Sequence, residues 1–156
     1  MLAQIDLDTP HDGLPSVPAH AFPHRSASQL LALARRDLDA AAEQSVDGLR
    51  YAGAHLAALR AAAAVVAARA RPVHSPRSRL TSVWDLLAMV APALGEWAVY
   101  FAASAAKRSA AEAGIPRVVT AREADELVQA AASFIAIVDR ALGDLTMPAV
   151  LRDMAA

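Results

Sequence analysis

The chain has 156 residues, a net charge of -1 and no cysteine, which suits one domain with a proper core and excludes disulfides, thiolate metal sites and cysteine nucleophiles. Its apolar fraction of 56% is largely alanine, and the three Phe, two Trp and two Tyr argue against a strand-rich architecture. The near-neutral balance hides a strong local asymmetry: from Asp47 to Asp85 no carboxylate intervenes, while Arg50, Arg60, Arg69, Arg71, Arg77 and Arg79 fall inside that interval.

Residues 1–25 carry Pro10, Pro15, Pro18 and Pro23 with His11, His20 and His24 and show no period, so they are expected to form a disordered tail. The histidine spacing fits no compact metal site. A basic region followed by an apolar run is also missing there, so no secretory signal is expected.

Ser26 with Gln29 forms a capping-box pattern ahead of a first amphipathic helix bearing Leu30, Leu31, Ala34, Leu38, Ala41 and Ala42. A second helix is predicted over about 47–70, with the stripe Ala52, His55, Leu59, Ala62 and Val66. Pro72 and Pro76 then break the chain. Ser82 with Asp85 caps a short third helix, SVWDLLAMV. Pro92 suits the first turn of a fourth, closed by Gly114 and Pro116, although it could equally kink one longer helix. Thr120 with Glu123 is a second capping box and starts a fifth helix, with Gly143 placed after its end. One further turn could follow Pro148. The apolar run from Met89 to Ala106 contains Pro92, Gly95 and Glu96, and reads as a buried helix of a soluble protein, not a membrane span.

Four long helices, one short helix and no strand signal give an all-α antiparallel bundle over 26–143, with flanking segments 1–25 and 144–156. The carboxylate gap makes a cationic belt of Arg60, Arg69, Arg71, Arg77 and Arg79, suited to phosphates or to an acidic partner. Trp84, Trp97, Tyr100 and Phe101 fit a core or an interface better than a base-stacking platform. Paired acids such as Asp37/Asp39 and Glu123/Glu126 read as solvated faces. No phosphate-cradling Gly-rich loop, nucleophile elbow or zinc spacing is present, so no cofactor and no metal are expected.

The stretches RYAGAHLAALRAAAAVVAARARP (50–72), SVWDLLAMVAPALGEWAVYFAASAAKRSAAEAG (82–114) and VTAREADELVQAAASFIAIVDRALG (119–143) carry a resemblance to the HEPN superfamily (higher eukaryotes and prokaryotes nucleotide-binding). Within it, the chain is similar to an actinobacterial branch of uncharacterised proteins. The resemblance implies a small helical bundle that homodimerises. It also implies nucleic-acid or nucleotide binding, metal-independent ribonuclease activity, or pairing with a nucleotidyltransferase or toxin–antitoxin partner.

The family's catalytic signature is an arginine followed by a histidine after four to six residues. The arginine would hold the scissile phosphate and the histidine would take the 2′-OH proton. Two matches occur here, Arg50-YAGA-His55 and Arg69-ARPV-His74, and the arginine and histidine counts make about one match expected by chance. On a regular helix, five steps put Arg50 about 140° around from His55. Arg69 and His74 straddle the end of the second helix. The expectation is therefore a cytoplasmic, non-catalytic homodimeric module that binds RNA or nucleotide through the belt. An interaction module for an acidic protein comes second, and a ribonuclease third.

Overall fold

The computed structural model describes residues 13–74 and 82–146. Five α-helices dominate: α1 (Ala27–Glu43), α2 (Asp47–Arg69), α3 (Val83–Val90), α4 (Gly95–Glu112) and α5 (Ala121–Thr146). The four-long, one-short all-α bundle predicted from the sequence is the fold.

Local chemistry sets the helix boundaries. The Ser26 hydroxyl accepts from Gln29 N–H at 3.2 Å while Ser26 N–H donates to Gln29 Oε1 at 3.1 Å, closing the capping box of α1. Thr120 and Glu123 repeat that reciprocal pair at the start of α5, at 3.1 and 3.2 Å. The Ser82 hydroxyl accepts from Asp85 N–H at 3.2 Å to start α3. Pro92 breaks the chain and does not merely kink it: α3 stops at Val90, residues 92–94 form one 3₁₀ turn, and α4 begins at Gly95. Gly114, at φ 77°, ends α4, with Ile115 N–H returning to the Ala110 carbonyl at 3.1 Å.

Helix α2 is the central element. It packs against α1, α3, α4 and α5, and Ala54, Ala57, Ala58, Ala61, Ala62 and Ala64 are fully buried along it. Small side chains permit that approach. A Cβ at Gly53 would sit 3.0 Å from the Ala41 Cβ of α1. By length and composition α2 could cross a membrane, but 61% of its most apolar window is buried inside the bundle, as a core helix requires. Trp84, Phe101 and Phe134 add bulk where the alanines leave room, with Trp84 and Phe101 stacked at 5.1 Å.

Two sequence expectations need correction. The segment assigned to a disordered tail contains β1 (Ser16–Pro18), which pairs in parallel with β2 (Arg71–Val73) in the register Val17 to Pro72. The prolines do not prevent this, because each strand is three residues long and lies at an edge. Val17 is completely buried and anchors the pair to the core. Second, α5 does not end before Gly143 but runs through it to Thr146. A Cβ at Gly143 would meet nothing within 4 Å, so no packing conflict stops the helix there. His11 and the turn expected after Pro148 lie outside the described residues.

Candidate nucleic-acid interface

The belt divides at about the middle of α2. Arg50, on the first turn of α2, is buried and fully engaged. Its Nε donates to Asp125 Oδ1 at 3.0 Å, Nη1 donates to the Gln44 carbonyl at 3.0 Å, and Nη2 donates to Asp47 Oδ1 at 2.8 Å and the Ala121 carbonyl at 3.4 Å. One guanidinium thus ties the α1–α2 turn to the start of α5. Arg60, nearly three turns on, forms an ion pair with Asp37 of α1. Arg50 thus has little left to offer a phosphate, while Arg60 is already ion-paired and part-exposed.

His55 lies on a different side of α2 from Arg50, as the 140° offset requires. It is 1% exposed and meets Trp84 of α3 and Phe101 of α4 edge-on, with ring centroids at 5.6 and 6.2 Å. Its Nε2 is 3.0 Å from the Phe101 carbonyl. A carbonyl only accepts, so Nε2 carries the proton and Nδ1 is left as a bare acceptor with no partner. Burial is the main cause of a pKa below the usual histidine value; the Arg108 charge adds to the lowering, and the bond to Phe101 opposes it. The site is closed to solvent. The Arg50/His55 match therefore places its arginine at a helix junction and its histidine in the core.

The second match lies at the other end of α2. Arg69 is half-buried beside Gly13, Leu14, Pro15 and Val90, and has no ion pair among the described residues. Arg71 and His74 are exposed, and Arg71 N–H donates to the Pro15 carbonyl at 3.0 Å. Ala70 is extended and β2 follows over Arg71–Val73, so a three-residue strand lies between Arg69, at the end of α2, and His74. Arg77 and Arg79 lie outside the described residues.

The aromatic residues follow the packing expectation in part. Trp84 and Phe101 are core, Trp97 is half-buried against Phe101 and Phe134, and Tyr100 is 43% exposed beside Val99, which is 71% exposed on the outer face of α4. Among the described residues no group of three or more His, Asp or Glu could hold a metal ion.

The carboxylate-gap criterion missed two arginines. Arg25, just before α1, and Arg36, within it, line a groove with Gln29, Ala32 and Leu33, and neither has an ion pair among the described residues. Their neighbours Asp37 and Asp39 hid them from a search for acid-free intervals. The spacing Gln29, Ala32, Arg36, which puts three residues on one stripe of α1, with Arg25 just ahead of its cap, was the available signal.

No curated protein and no solved structure matches the chain. A family model described as HEPN_SAV_6107-like HEPN matches residues 40–139, well over half of the sequence and all of α2 to α4. The resemblance that the helices carry is thus confirmed, and the chain belongs to the HEPN_SAV_6107-like HEPN family.

Proposed function

We propose that this chain is a non-catalytic, cytoplasmic HEPN module that binds RNA or a nucleotide through the C-terminal end of α2 and the segment after it, as a homodimer. One observation carries the reading: among the described residues, Arg50 and Arg60 are paired with acids and Arg69 is not. Asp47, Asp125 and Asp37 neutralise Arg50 and Arg60, whereas Arg69 pairs with no acid among the described residues. Arg71 follows on an exposed strand, and Arg77 and Arg79 extend the series in the sequence. A guanidinium without an ion pair, such as that of Arg69, attracts phosphodiesters, and further positive charges nearby make that attraction strongly salt-dependent.

The non-catalytic part rests on the two arginine–histidine matches. One histidine is sealed in the core, and the other is separated from its arginine by an extended strand. The dimer would use the outer face of α4, where Val99 and Tyr100 are exposed.

Fluorescence anisotropy with a labelled single-stranded RNA tests the reading. Affinity should fall with salt by about 0.7 log unit per log unit of salt for each phosphate contacted. Arg69→Ala with Arg71→Ala should flatten that slope and leave the circular dichroism spectrum unchanged, and light scattering should give twice the chain mass. The RNA should remain intact in EDTA. Absence of RNA binding with capture of an acidic protein would favour the interaction-module reading. Metal-free cleavage abolished by His74→Ala would restore the ribonuclease reading.

A further inference from the structure

We propose that the groove on the outer face of α1, between Arg25 and Arg36, is a second phosphodiester-binding site. It would continue the path of a single RNA strand from the end of α2. The proposal rests on the RNA-binding reading above and assigns that strand a second contact region.

Three observations meet in this groove. It is an open channel of about 350 Å³, with a guanidinium-bearing residue at each end and no carboxylate in its lining. Arg25 and Arg36 have no ion pair among the described residues, in contrast to Arg35 beside them, which pairs with Asp139. Between them Gln29 offers donors: its Oε1 is already taken by Ser26 N–H, so the amide NH₂ is the part left to face a ligand. The floor, Ala32 and Leu33, is apolar.

Charge at both ends, a donor in the middle and an apolar floor suit the repeating chemistry of a single strand. Successive phosphates would meet the two arginines while a base lies over Leu33 with a carbonyl edge toward Gln29. Arg25 precedes the helix and Arg36 lies between two and three turns into it, so each would contact a different phosphate.

The fold brings this groove to the end of the molecule that carries Arg69. Helices α1 and α2 run antiparallel, with Gly53 against Ala41, Arg60 on Asp37, and Ala68 in the same cavity wall as Ala27, Ser28 and Leu31. The start of α1 therefore lies beside the end of α2. The β1–β2 pair reinforces the placement, because the strand leading toward Arg25 is hydrogen-bonded to the strand that follows Arg69. A strand leaving Arg69 and Arg71 thus meets Arg25 first and Arg36 one groove length later.

The test compares two double variants of the full chain against a labelled twelve-nucleotide oligouridylate across a salt series. Arg25→Ala with Arg36→Ala should reduce the salt slope by about 1.4, two phosphate contacts, with an unchanged thermal midpoint. A four-nucleotide probe, too short to reach both regions, should show a smaller change. Retention of the parent slope in this variant, while Arg69→Ala with Arg71→Ala lowers it, would overturn the groove and leave the proposed function standing. A parent protein that binds no RNA would overturn both. Displacement of the RNA by poly-L-glutamate at equal charge concentration would overturn the groove as a nucleic-acid site and mark it as a surface for an acidic protein.

Discussion

The two ends of α2 carry the same short pattern, an arginine and a histidine five positions apart, and the fold uses them in opposite ways. At the N-terminal end both residues are buried and committed: Arg50 joins two helix junctions, and His55 is closed in by aromatic rings. At the C-terminal end His74 is exposed and Arg69 lacks an ion pair among the described residues. Spacing along a chain therefore does not specify a site. Helix geometry divides the first pair, an extended strand divides the second, and the acids supplied by α1 and α5 decide which cations remain available.

The comparison breaks most sharply at Arg50. Arg50→Ala removes four hydrogen bonds, leaves two backbone carbonyls without this donor and unties α5 from the α1–α2 turn. Asp47 and Asp125 are themselves well exposed and can rehydrate, which limits the loss to about 3 kcal/mol. Arg69→Ala should stay within about 0.5 kcal/mol, as an ordinary surface change does. Urea denaturation of the two variants measures the contrast directly. Equal losses would show that Arg69 is as structural as Arg50.

How the exposed end is held can be tested at Val17. Its side chain is the buried anchor of β1, and β1 positions the strand that follows Arg69. Val17→Ala should cost about 2 kcal/mol, chiefly through the cavity left behind. A thermal midpoint matching the parent would mean that residues 13–25 contribute nothing to the bundle, as their composition suggests.

That composition was misleading for a physical reason. The capping boxes at Ser26 and Thr120 and the cap at Ser82 were legible because each is completed within four residues. The pairing of Ser16 with Arg71 joins positions far apart in sequence, through strands too short to show alternation. Pro92 and Gly143 illustrate the two strengths of helix breakers. Proline removes a donor and clashes with the preceding turn, so α3 ends before it. Glycine costs only about 1 kcal/mol in a helix interior, and α5 runs through it. In the candidate site, the absence of acids from 48 to 84 was visible in the sequence, but the neutralisation of Arg50 and Arg60 by Asp125 and Asp37 was not. Those acids come from other helices.

His55 allows the finest test of the buried end, because its charge state reports its surroundings. The folded protein holds its pKa below the ordinary 6.5, chiefly by burial. The groups whose charges act on it are Arg108 and Glu112 of α4, of which Arg108 lowers the value and Glu112 raises it, while Trp84 of α3 and Phe101 of α4 enclose the ring and carry no charge. Above about pH 6.5 the imidazole is neutral in both folded and unfolded chains, so its contribution to stability is fully present there. As the pH falls, the unfolded chain takes up the proton first. Stability is then lost progressively until the lower folded pKa is passed, where the loss levels off. His55→Leu removes the bond to the Phe101 carbonyl together with the unpartnered Nδ1, and should lower stability by about 1 kcal/mol at pH 7.5. It also removes the acid penalty. The gap between parent and variant should therefore narrow below pH 6.5, in urea titrations from pH 7.5 to 4.5. A constant gap across that range would mean that His55 takes up its proton equally easily folded and unfolded, and that the first half of α2 is as open to water as its end.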